Sequence, residues 1–263
     1  VIIMSIRSEA VSGTFYSANP NELQVMVDGF LSQAKRESQK AKLLISPHAG
    51  LIYSGESAGV AYKQLEGRSE IKRVLLIGPS HHIGFEGFAV SSDSVWRTPL
   101  GEIDLDIAPI NSFLESKIVN AFVHPQPHEK EHSLEVQLPF LQTVMDGFKL
   151  IPIVYGKVSS DDVVKIFEYF SDEETIIVIS SDLSHFYDEA EANKLDGYCN
   201  KGVKALDLEA MQTCEACGKT GMKGAIKYAL KHSLSSTLLS YTTSAKTSGD
   251  SSRVVGYASY MFY

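Results

Sequence analysis

The sequence predicts an α/β fold of three layers, with helices on both faces of a largely parallel or mixed central sheet. Two observations carry this expectation. Continuous apolar, β-branched runs recur at residues 43–45, 74–77, 150–154 and 176–179, and such runs fit strands covered on both faces. Helix-like segments separate them, and alternating elements of this kind imply helices layered on a sheet. A third observation permits it: 263 residues at 44% hydrophobic composition can bury a large core without staples. We read residues 1–263 as a single domain, since no repeat or low-complexity linker divides them.

Taken in order, the run at 43–45 enters Ser46-Pro47-His48-Ala49-Gly50. A helix over 55–65 follows, where Gly55 and Gly59 would let it pack closely on the sheet. The run at 74–77 enters Gly78-Pro79-Ser80-His81-His82, and Trp96-Arg97-Thr98-Pro99 reads as a structural turn after a short strand. A helix is expected over 107–114. His124 and His128 flank Pro125 and Pro127, which argue for a solvated loop. A helix over 134–144 carries Leu134, Leu138 and Leu141, shortened by Pro139; His132 opens it, on one face with Glu135. Helices are expected over 161–170, 189–213 and 223–231. The run at 176–179 enters Ser180-Ser181-Asp182-Leu183-Ser184-His185, residues 242–253 form a polar loop, and the chain ends as a strand over 254–262.

Composition excludes several functions. Net charge is −8, which disfavours a phosphate-backbone partner, so no nucleic acid is expected. No apolar run reaches the roughly 18 residues of a membrane span. The opening Val-Ile-Ile-Met is too short for a signal segment, and Arg7 follows it rather than preceding it. Cys199, Cys214 and Cys217 cannot build a disulfide framework, so free thiols and a reducing, cytoplasmic setting are expected. Cys214-Glu-Ala-Cys217 lacks the second pair that a zinc ribbon needs. Ser180 and Ser181 lie outside any G-x-S-x-G elbow.

The histidines carry the chemistry. Four of eight fall within six residues of three run ends. In α/β sheets ligands bind beyond the carboxyl ends of the strands. Parallel strands would therefore bring His48, His81 or His82, and His185 to one edge, and imidazole suits iron, copper or zinc. The competing expectation is that each histidine caps a strand end.

The same residues resemble the MEMO family (mediator of ErbB2-driven cell motility). The matching segments are Pro47-His-Ala-Gly-Leu-Ile-Tyr-Ser-Gly55, Gly78-Pro-Ser-His-His82 and Trp96-Arg-Thr-Pro-Leu100. They continue through Glu131-His-Ser-Leu-Glu-Val-Gln-Leu-Pro139, Ser180-Ser-Asp-Leu-Ser-His185 and Gly249-Asp-Ser-Ser252, in the family's order from Gly13-Thr-Phe-Tyr16 onward. That family is similar to the class III extradiol (LigB-type) dioxygenases, which hold non-haem iron in an α/β fold. The resemblance implies an iron- or copper-binding redox protein. His48 and His81 would be metal ligands, with His185 as a third pocket histidine and acid/base. His82, His132, Asp182 and Asp250 would border the pocket.

Animal members place a ligating cysteine five residues before the Asp of Asp-Ser-Ser, where this chain has Ala245; Cys217 matches a different family cysteine, before a glycine. That leaves His185, Asp250 or water as the third ligand. Fe(II) is then the expected metal, with copper next and zinc last. The occupant would be a small phenolic-type molecule. The rival expectation is a non-catalytic module that binds an anionic or phosphorylated peptide.

Overall fold

The computed structural model describes residues 3–263. Val1 and Ile2 of the opening apolar run lie outside the described residues. The first half of the chain comprises β1 (Ile3–Arg7), α1 (Pro20–Gln33), β2 (Leu43–Ser46), α2 (Leu51–Lys63), β3 (Arg73–Pro79), β4 (Phe88–Val90), β5 (Asp93–Thr98) and β6 (Gly101–Asp104). Next come α3 (Ile107–Ser116), β7 (Ala121–Val123), α4 (Gln126–Glu129), α5 (Leu138–Val144), β8 (Lys149–Tyr155), α6 (Ser160–Phe170) and β9 (Thr175–Ser180). The chain closes with β10 (His185–Tyr187), α7 (Glu189–Ala205), α8 (Ala210–Thr213), α9 (Lys219–His232), β11 (Ser236–Thr243), α10 (Ala245–Ser248) and β12 (Val254–Phe262).

The four apolar runs are β2, β3, β8 and β9, and they form the parallel centre of a nine-stranded mixed sheet. Its order is β10-β12-β2-β9-β3-β8-β4-β7, with β11 on β12. Strands β12 and β4 run antiparallel to their central neighbours β2 and β8. β2 and β9 are buried at every position, as expected of strands covered on both faces. A three-stranded sheet, β1-β5-β6, lies apart from it. Pairing Ser46 with Ser180, and Pro79 with Tyr155, brings the carboxyl ends of β2, β9, β3 and β8 level at one edge. Among the described residues no helix is long and apolar enough to cross a membrane.

Four expectations are corrected. The two glycines of α2 do not serve packing on the sheet: Gly55 and Gly59 abut Phe30 of α1. Trp96 is not a turn; it lies buried inside β5, with the Arg7 guanidinium 4.3 Å from its ring centroid. His128 is not solvated. Pro125 and Pro127 start the short α4, which turns His128 inward, where Nε2 meets the Ala89 carbonyl at 3.0 Å. Lastly, the helix expected over 189–213 breaks at Leu206, whose φ of 53° ends α7. The chain turns back there, so Cys214 after α8 forms a disulfide with Cys199 on α7 across a Cα separation of 4.7 Å. The cysteine argument for a reducing compartment falls with it.

Candidate metal centre

Three segments meet at the level edge. The elbow after β2 presents His48, the elbow after β3 presents His81, and the turn before α9 presents Cys217. Ligand atoms of His48, His81 and Cys217 all lie within 4.8 Å of one another. The Cys217 sulfur is 3.3 Å from His48 Nε2. Rings of His48 and His81 cross nearly edge to face at 5.1 Å.

Hydrogen bonding fixes which nitrogen of each ring is free. Ser180 Oγ donates its single proton to the Ser133 carbonyl and accepts from Gln137 Nε2 at 2.7 Å. Its 2.8 Å contact with His48 Nδ1 therefore has to be donated by the ring. That leaves a lone pair on Nε2, the atom facing Cys217. His81 Nδ1 lies 2.8 Å from Glu131 Oε1, and the His81 amide donates to Glu131 Oε2 at 2.6 Å. Burial opposes ionisation of Glu131. The bond and charge of His81, with backbone amides, outweigh it and hold the carboxyl at about 2. An ionised acceptor on Nδ1 turns the other ring nitrogen toward the site, an arrangement common among metal-bound histidines.

The segment from Glu131 to Gln137 scaffolds all of this. Ser133 Oγ donates to the Pro79 carbonyl, and Gln137 Nε2 donates to the Pro47 carbonyl at 2.9 Å. Gly78 permits the approach: a Cβ there would sit 2.9 Å from Leu134 Cδ2. Glu135 does not share a working face with His132. It is buried, accepting from Arg7 Nη1 at 2.7 Å, the Tyr16 hydroxyl at 2.6 Å and the Ala10 and Val11 amides, and so ties the segment to β1.

The remaining expected residues divide. His132 belongs to the cluster, its ring 4.5 Å from His81 and 4.7 Å from Phe15. Asp182 is buried and accepts the His48 amide at 2.7 Å, and burial pushes its carboxyl up to about 7. His185 lies half-buried and outside the groups whose ligand atoms are mutually close. His82 is exposed, 6.0 Å from His132 between ring centroids. Asp250 is exposed, its carboxylate bonded to the amide and hydroxyl of Ser252. Ala245 lines a separate polar hollow with Glu189 and Tyr241.

The residues that sequence reasoning missed are Cys217 and Glu131. Glu131 stands next to His132 in a quoted motif, which was its available signal. Cys217 gave none beyond the Cys-Gly pair, because its approach depends on where α9 begins.

Burial dominates the electrostatics of the centre. It lowers His48 well below the usual imidazole range and draws His132 down to about 4, with His81 adding to both effects. It pushes the Cys217 thiol up to about 12, reinforced by the Asp182 carboxylate. Two imidazoles and a thiol are donors that fit a metal ion, which displaces the thiol proton on binding.

The fold and this edge define an α/β protein with an imidazole–thiol metal-centre candidate at the carboxyl ends of parallel strands. The chain belongs to the Memo-like protein family, whose profile matches residues 7–261. It is 34% identical to a MEMO1 family protein of Archaeoglobus fulgidus, covering 98% of this chain and 99% of that one. Identity to a MEMO1 family protein of Aquifex aeolicus is also 34%, over 98% and 100% of the two chains. Protein MEMO1 of Xenopus laevis is 32% identical over 80% of this chain and 73% of its own length.

Proposed function

We propose that the chain is a redox protein that binds iron or copper through His48, His81 and Cys217. The observation that carries this reading is the convergence of the three ligand atoms within 4.8 Å, with Nδ1 of both rings already engaged. Iron remains the first expectation, as in the related dioxygenases. Cys217 supplies the soft donor missing at Ala245, which restores a claim for copper. Zinc suits the donors too but brings no redox chemistry.

A bound iron or copper ion would supply one-electron chemistry to a small phenolic-type molecule. The protein's own residues do the rest. Ser180 and Glu131 orient the two imidazoles before any ion arrives, which limits the ordering cost of binding. Burial lowers the His185 pKa, so its imidazole is neutral near pH 7 and able to accept a proton from a phenolic hydroxyl. Neutral His48 and His132 add no positive charge, which weighs against capture of an anionic peptide.

Metal analysis of untagged protein purified without oxygen tests the reading. Near one iron or copper ion per chain is expected, falling at least tenfold in Cys217→Ser and His48→Ala. Little metal in the unaltered protein would overturn it in favour of the non-catalytic binding module.

A further inference from the structure

We infer that the free edge of β11 pairs with β11 of a second copy of this chain, joining the two large sheets across a two-fold axis. Strand β11 has only β12 as a partner and so ends the sheet. It runs for eight residues, where strands average about five or six. Its sequence, Ser-Thr-Leu-Leu-Ser-Tyr-Thr-Thr, contains no charge and no proline. Edges protected against pairing are usually very short or carry such residues. Helices α2 and α7 pack against β11, yet every residue from Ser236 to Thr242 stays half-exposed.

The backbone suits a second copy in particular. Alternate residues of an antiparallel strand bond to one neighbour, and those between point away from it. Ser235 and Tyr263 exchange amide bonds at 2.9 and 3.0 Å. Thr237, opposite Met261, therefore faces β12 as well, and Ser236 and Leu238 point outward. The Ser244 amide bonds the Val255 carbonyl at 2.9 Å. By the same alternation Ser240 and Thr242 face β12, and Tyr241 and Thr243 point outward. Between the two halves the register shifts by one residue, at Leu239. Outward backbone thus falls at 236, 238, 241 and 243, a spacing that reads the same in both directions. Antiparallel pairing with a copy aligns all four positions: Ser236 lies opposite Thr243 of the second copy, and Leu238 opposite Tyr241. A bulge can turn an edge away from pairing; this one lies at the axis, and both copies carry it at the same place.

Charge completes the match. Lys201 and Lys204 of α7 line a hollow with Leu238. Glu189 and Asn193, nearer the start of α7, line another with Tyr241 and Thr243. Glu189 accepts from Thr243 Oγ1 at 2.7 Å, and Asn193 from the Tyr241 hydroxyl at 2.8 Å. Among the described residues the one ion pair of α7 is Lys194 with Glu191, which leaves Lys201, Lys204 and Glu189 unpaired. Because Leu238 lies opposite Tyr241 of the second copy, the lysine end of one α7 comes beside the Glu189 end of the other. Rim charges arranged in this way fix register and orientation.

Sedimentation equilibrium over about a hundredfold range of protein concentration tests the inference. A species of twice 28.9 kDa is expected, weakening as salt rises. Lys201→Glu/Lys204→Glu, at two exposed positions, should weaken the dimer at least tenfold, and adding Glu189→Lys should restore most of that loss. Leu238→Lys, which sets a charge on the edge, should leave a monomer whose fold circular dichroism confirms. In the unaltered dimer, exchange of the Leu238, Tyr241 and Thr243 amides, read by NMR, should slow at least tenfold relative to that monomer. A monomer at every concentration, a dimer unchanged by Leu238→Lys or by the reversed lysines, or amides that stay unprotected would overturn the inference.

Discussion

Glu131 and Asp182 are both buried carboxyls at the same edge, yet their surroundings push them in opposite directions. Glu131 bonds the His81 ring and is held at about 2, whereas burial of Asp182 outweighs its backbone amide bonds and the more distant His81, and its carboxyl rises to about 7. Glu131→Gln replaces the ionised acceptor behind His81 with a neutral amide. Outer-shell partners of this type are worth about 10–100-fold in metal affinity. A loss of that size is expected in a chelator competition, with Co(II) uptake still measurable. Asp182 acts through linkage. Its folded pKa is raised above the unfolded value, so its proton favours the fold below about pH 4, and that contribution is lost as pH rises through 7. Urea unfolding of metal-free protein should show a stability slope between about pH 4 and 7 that flattens in Asp182→Asn. An unchanged slope would assign it to other groups.

At the scale of elements, two contacts bear most directly on the site's frame. Helix α2 begins directly after the His48 elbow, and its Gly59 meets Phe30 of α1, with a Cβ falling 2.9 Å from Phe30 Cβ and 3.1 Å from its carbonyl carbon. Helix propensity favours alanine there by about 1 kcal/mol. Overpacking against a backbone that cannot swing aside costs about 1–3 kcal/mol, so the second effect should win. Gly59→Ala should lower the urea midpoint; a rise would mean that α1 yields. The second contact is the disulfide between α7 and the end of α8. It joins residues 15 apart, a loop length for which cross-linking contributes about 3 kcal/mol. Cys199→Ala/Cys214→Ala should lose stability up to that amount and still bind metal, because the Cys217 backbone N–H also donates a hydrogen bond to the Asp182 carbonyl at 3.3 Å. Loss of metal binding with the fold intact would show that the disulfide positions Cys217.

At the scale of the whole molecule, the parallel centre was legible in the sequence because its strands are buried on both faces and written as unbroken apolar runs. The edge that gathers His48 and His81 followed from that centre. Strands β4, β7 and β10, of three residues each, are too short for periodicity to reveal. Helix α1 escaped although Asn19 caps it and Pro20 opens it. Cys217 was illegible for a different reason: the break at Leu206 and the start of α9 decide where it lies, and both are tertiary outcomes. The candidate centre consequently ties the sheet to a segment distant in sequence, and protons should report that tie. With its thiol near 12, Cys217 is protonated across pH 7–9, while His48 is already neutral. Each ion bound should then release about one thiol proton, so Co(II) affinity should rise about tenfold per pH unit in this window. In Cys217→Ser the slope should fall toward zero. Titrations at several pH values, with proton release read from buffers of different ionisation enthalpy, decide the matter. An equal slope in both proteins would place the released proton elsewhere and remove Cys217 from the ligand set.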